Sequence, residues 1–127
     1  MSDRLDQLSA ALDGADLPHT VYHDCIHIPL PEGFGTLELK LWQGGSDSIQ
    51  LIPGDFHTHL EILALEYKQD KNTAFATLVE KIFASELLLV EEISRDGVSR
   101  KTIEASLEDY LNYLPEGSTY RVFNKKG

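Results

Sequence analysis

Apolar residues near the start of the chain fall at Leu5, Leu8 and Leu12, with charged and small residues between them. This spacing draws one apolar stripe along a helix, which Ser2 can cap and Gly14 can end. The clearest helical period runs from Asn72 to Ser85, where Phe75, Leu78, Val79, Ile82 and Phe83 recur at i, i+3, i+4, i+7 and i+8. A third helix is predicted to start at Ser106. Its first turn carries Glu108 and Asp109, favourable against the helix dipole, and Leu107, Tyr110, Leu111 and Leu114 form its buried stripe before Pro115 stops it.

The stretches between these helices read as strands. Thr20–Ile28 is rich in β-branched and aromatic residues and runs into a Pro-Glu-Gly turn at Pro31. Thr36–Trp42 alternates, with Leu37, Leu39 and Leu41 on one face, and Gly44 to Asp47 turn the chain into Ser48–Ile52. Leu87–Arg95 and Val98–Ala105 flank Asp96-Gly97, a strong hairpin signal, and Thr119–Phe123 makes a short last strand. The predicted fold is α+β. It is a single two-layer domain over residues 1–127, with a mostly antiparallel or mixed sheet of five to six strands and two to three helices.

One segment supports two readings. Phe56, Leu60, Leu63, Ala64 and Tyr67 fit a helical stripe, yet Asp55, His57, His59 and Glu61 occupy every second position, as on a strand. On a helix, residues two apart point to opposite sides. On a strand, His57 and His59 share a face about 6.6 Å apart and can lean together onto a zinc ion roughly 2 Å from each nitrogen. A strand through His59 that then becomes helical reconciles both patterns.

Composition changes the picture in three ways. At 127 residues with 42% hydrophobic and 25% charged positions, the chain can bury a core without staples. A formal charge of −10 argues against nucleic acid and anionic membranes as partners. Cys25 is the only cysteine, which excludes an intrachain disulfide and a thiolate cluster. The N-terminus lacks a secretory pattern and the longest aliphatic run, Leu87–Val90, is far too short for a membrane span, so a reducing cytoplasm is the expected setting.

The candidate chemistry centres on His57 and His59, with Asp55 and Glu61 extending the row. His19, His23 and His27 recur every four residues, so on one extended strand they would share a face. Beside the Asp55–Glu61 row, His23 and His27 would then complete a metal site of zinc, nickel or copper type. The plain alternative is a solvated sheet face. Cys25, flanked by His23 and His27, has two readings: a nucleophile of lowered pKa, or a small core residue. Trp42 reads as sheet-edge packing. No glycine-rich loop is followed by Lys-Ser/Thr, so there is no P-loop.

Three local resemblances touch this region. The string from Ile52 to Glu61 resembles the opening motif of amidohydrolase-superfamily enzymes, whose His-x-His ends the first barrel strand. Such a barrel needs about 250 residues, so the likeness stays local. His57, His59 and Asp70 match the spacing of JAMM-type metalloproteases. Here Tyr67 stands at the serine position and Leu60 at the proline, and Glu32 or Glu38 would have to serve as the catalytic glutamate. The aromatic-His-Thr-His-apolar-acid string, within Trp42–Phe83, also resembles small bacterial α+β proteins of uncharacterised function.

No complete catalytic set can be assembled, so the expected function is a non-catalytic interaction or regulatory module of immunity or adaptor type. Glu86, Glu91, Glu92, Glu104, Glu108 and Asp109 make the C-terminal half a docking face for a basic protein partner, and a homodimer is a further expectation. The alternative is a metal-binding protein or metal-dependent hydrolase using His57 and His59. Zinc is the ion that reading implies; otherwise no cofactor is expected.

Overall fold

The computed structural model describes residues 3–42 and 47–124. The Ser2 cap and the Gly44–Ser46 turn expected from the sequence lie outside them. Helix α1 (Asp3–Gly14) buries Leu5, Leu8 and Leu12, the predicted stripe. The strand expected over Thr20–Ile28 is two strands, β1 (Thr20–Val21) and β2 (Cys25–Pro29), paired antiparallel. A tight turn separates them, closed by the Tyr22 N–H donating to the Cys25 carbonyl at 2.8 Å. The Leu41 N–H takes the Asp24 carbonyl at 3.0 Å and steadies the same turn. No glycine or proline marks this reversal, which is why composition hides it.

Strands β3 (Thr36–Leu41), β4 (Asp47–Ile52) and β5 (His57–Thr58) complete an antiparallel meander in the order β1-β2-β3-β4-β5. Its inner face carries Ile26, Ile28, Leu37, Leu39, Ile49 and Leu51, all fully buried. Helices α1, α2 (Leu60–Tyr67) and α3 (Lys71–Phe83) cover that face. Each large apolar side chain so buried contributes about 1.5–3 kcal/mol. In α3 the side chains of Phe75, Leu78, Val79 and Ile82 enter the core, while Phe83, on the last turn, stays 36% exposed.

Helix α2, which the sequence left open, lies in the segment with two readings, and the chain resolves them residue by residue. The backbone is extended through His59 and helical from Leu60. It ends at Lys68, whose left-handed conformation (φ 55°) breaks the ladder before Asp70 caps α3 by accepting from the Thr73 N–H.

A second antiparallel sheet follows, in the order β7-β6-β8, formed by β6 (Leu88–Ile93), β7 (Ser99–Glu104) and β8 (Thr119–Val122). The α+β class is thus as expected from the sequence, with the strands divided between two antiparallel sheets rather than gathered in one. The hairpin turns at Asp96-Gly97, where Gly97 has φ +83°. Helix α4 (Leu107–Asn112) connects β7 to β8 and is capped by Ser106, which accepts from the Asp109 N–H. It buries Tyr110 but leaves Leu111 40% exposed, because a helix this short turns only a narrow stripe inward. Leu89, Ile103 and Phe123 join the three-stranded sheet to the main core. Among the described residues no helix is long and apolar enough to cross a membrane.

Candidate metal centre

The outer face of the five-stranded sheet is where chemistry-bearing groups collect, and strand register explains which ones. His27 stands opposite Glu38, Glu38 opposite Gln50, and Gln50 opposite His57. Paired residues in an antiparallel sheet point to the same side, so these four share one row. The next row holds Cys25, Lys40 and Ser48. Alternation therefore sends leucine and isoleucine inward and leaves Cys25, His27, Glu38 and Lys40 outward.

Three of these side chains form a compact donor set. One ligand atom each from Cys25, His27 and Glu38 lies within 4.8 Å of the other two. His27 Nε2 and Glu38 Oε2 are 2.9 Å apart, a hydrogen bond that becomes an ion pair when the ring is protonated. The Tyr22 ring packs on His27 with centroids 4.7 Å apart. Lys40, opposite Cys25, places its ammonium 4.3 Å from the centre of the Trp42 ring, and the indole N–H donates to the Ser48 hydroxyl.

Burial pushes the Cys25 thiol above its usual pKa, and the charges of Glu38 and Asp24 push the same way. That is opposite to the lowering expected from flanking histidines. A protonated, buried thiol is a poor nucleophile, but a divalent ion can take the proton's place on sulfur. Tetrahedral zinc, with bonds of about 2.0–2.3 Å, needs donors some 3.3–3.8 Å apart. At their widest the three donor atoms stand about an ångström farther apart than this. Thiolate, imidazole and carboxylate together suit a borderline-soft ion such as zinc.

The residues expected to hold a metal are placed differently. His57 and His59 do share the outer face, with rings edge to face and centroids 4.8 Å apart. His59 Nδ1 donates to the Asp47 carbonyl at 2.7 Å, which orients the ring. Among the described residues, however, neither Asp55 nor Glu61 joins these rings in a compact set of three donors. Asp55 sits 3.8 Å from Arg100, and Glu61 lies exposed in the first turn of α2.

The four-residue histidine period has no common face. His23 is exposed in the β1–β2 turn. His19 precedes β1 and is enclosed against α1, bonded to the Ser9 hydroxyl at 2.8 Å and the Leu17 carbonyl at 2.9 Å. Only His27 reaches a ligand cluster, because the hairpin turn takes the other two out of line.

Other candidates are committed elsewhere. Asp70 accepts from both the Thr73 N–H (2.9 Å) and hydroxyl (2.7 Å), contacts that hold its carboxyl below the usual range. Its carboxylate is occupied as a helix cap, so the metalloprotease-like spacing does not translate into a third ligand. Of the acidic residues in the C-terminal half, Glu92 is buried, Glu91 accepts from Ser99, and Glu104 accepts from Thr102.

Sequence reasoning missed that Glu38 stands beside Cys25 and His27. The available signal was a Cys-x-His pair on one predicted strand facing an alternating Leu-Glu-Leu-Lys strand, with a turn between them. Compared with protein-family models, with curated proteins and with solved structures, the chain matches none.

Proposed function

We propose that this protein binds a single divalent transition-metal ion, zinc by donor chemistry, on the outer face of its five-stranded sheet. Cys25, His27 and Glu38 are the ligands. The observation that carries the reading is their mutual approach within 4.8 Å on neighbouring strands. Three protein donors leave a fourth position toward solvent, the pattern of sites that keep water or an exchangeable ligand.

Cobalt titration of tag-free protein tests this. One equivalent of Co²⁺ should give a sulfur-to-cobalt charge-transfer band and visible ligand-field bands, both lost in Cys25→Ser and weakened in His27→Ala and Glu38→Gln. Binding by the variants equal to the parent, or no thiolate band in the parent, would overturn it.

A second reading, docking of a basic protein partner, is favoured by one observation. Leu111 and Tyr113 are 40% and 84% exposed at the end of α4, which opens with Glu108 and Asp109. Affinity for such a partner should fall steeply with salt, and Tyr113→Ser should weaken it.

A further inference from the structure

A cavity of about 270 Å³ opens between α2, β5 and the β7 end of the three-stranded sheet, away from the Cys25 cluster. Leu63 and Leu78 line it and are almost sealed from solvent, at 3% and 2% exposure. Leu87 and Ile103 pack on the core yet keep part of their surface open, because the cavity lies where another side chain would otherwise cover them. Water against such walls is readily displaced by an apolar group. The volume falls just below the roughly 300–1,000 Å³ of sites for drug-sized ligands, so the fitting occupant is a one- or two-ring molecule.

The rim is polar and acidic. His57, Glu66 and Tyr67 border the opening. Burial and the Glu66 charge raise the Tyr67 phenol, so it remains a protonated hydrogen-bond donor. Among the described residues Glu66 takes part in no ion pair. Lys81 holds its ammonium 5.7 Å from the centre of the Tyr67 ring. The net charge of −10 on the whole chain adds a long-range attraction for a positive head group.

We propose that this cavity binds a small aromatic amine, its ring held between α2 and β7 and its ammonium at Glu66. The apolar walls supply the affinity, and the Glu66 carboxylate sets the preference for charge.

Three probes of one shape separate these contributions: tryptamine, indole and indole-3-acetate, titrated into the full chain with amide chemical shifts followed by NMR. Tryptamine should bind at least about fivefold more tightly than indole-3-acetate, the size a screened charge contact gives. Shifts should concentrate in residues 56–67 and 103–105. Glu66→Gln should bring tryptamine to the level of indole and leave indole unchanged. Ala105→Phe, which projects a ring into the opening from an exposed position, should abolish all three while circular dichroism shows the fold intact. Equal binding of the amine and the acid would overturn the proposal, as would no binding by any probe, or shifts lying outside the cavity.

Discussion

The Tyr110 hydroxyl donates to Glu92 Oε1 at 2.8 Å, joining α4 to the middle strand of the three-stranded sheet. Glu92 stands opposite Arg100 on β7 and Tyr120 on β8, and the Tyr110 and Tyr120 rings meet edge to face at 5.9 Å. One buried carboxylate thus gathers three elements. In Tyr110→Phe the ring packing survives, but the buried Glu92 loses its short hydrogen bond and is left with the longer 3.5 Å contact from Arg100. A loss of about 1–3 kcal/mol is expected, read as a lower urea midpoint at unchanged slope.

The same contact makes stability fall in alkali. Burial, then the hydrogen bond and charge of Glu92, raise the Tyr110 pKa far above the value it has in the unfolded chain. The fold therefore favours the neutral phenol. Its contribution is fully present below about pH 10, the ordinary tyrosine value, and is lost as pH rises toward the folded pKa. Urea unfolding between pH 8 and 11 should show stability dropping above pH 10, with a shallower drop in Tyr110→Phe. Parallel curves would refute the assignment.

Asn124 is a second internal tie. Its Oδ1 accepts from the Leu89 N–H, and its Nδ2 donates to the carbonyls of Ile82 and Leu87, each at 2.8 Å. One amide thereby links the end of α3 to the start of β6. Asn124→Ala strips partners from three enclosed backbone groups and should cost at least about 2 kcal/mol. Asn124→Asp should be nearly as damaging, since a carboxylate cannot donate to the two carbonyls.

Gly54 marks where the two sheets touch through backbone. The neighbouring Asp55 N–H donates to the Lys101 carbonyl at 2.9 Å. A Cβ at Gly54 would stand 2.8 Å from that same oxygen and 2.5 Å from the Leu51 Cδ2, at φ +156°. Gly54→Ala should destabilise by about 1–3 kcal/mol through overpacking, visible as a lower thermal midpoint.

Metal binding should also appear as stability. Zinc at about a hundred times its dissociation constant should add roughly 2.7 kcal/mol, raising the thermal midpoint of the parent chain and leaving Cys25→Ser unmoved. An equal rise in both would place the ion elsewhere.

Helices α1 and α3 were legible because Leu5, Leu8 and Leu12, and Phe75, Leu78, Val79 and Ile82, repeat at the helical period and end up buried. The β6–β7 hairpin was legible from Asp96-Gly97, a turn only a glycine makes without strain. Strand register was not. Glu38 meets His27 because two strands pair at one of several offsets, and a linear pattern does not encode which. The β1–β2 turn escaped for a related reason: Tyr22 to Cys25 contain no turn-forming glycine or proline, so the period-four histidines read as one continuous strand. Glu92 read as part of an acidic surface because the sequence gives no sign of the Tyr110 hydroxyl, supplied from a distant segment, that makes its burial tolerable.

The border strands of the five-stranded sheet, β1 and β5, are two residues long, too brief to template the backbone of a neighbouring molecule. In the smaller sheet, β7 already gives its Lys101 carbonyl to Asp55, whereas β8 runs for four residues, three of them exposed. Among the described residues, pairing of two molecules by continuous strand addition, whether an ordered dimer or an unwanted fibril, therefore finds an open docking line along Thr119–Val122.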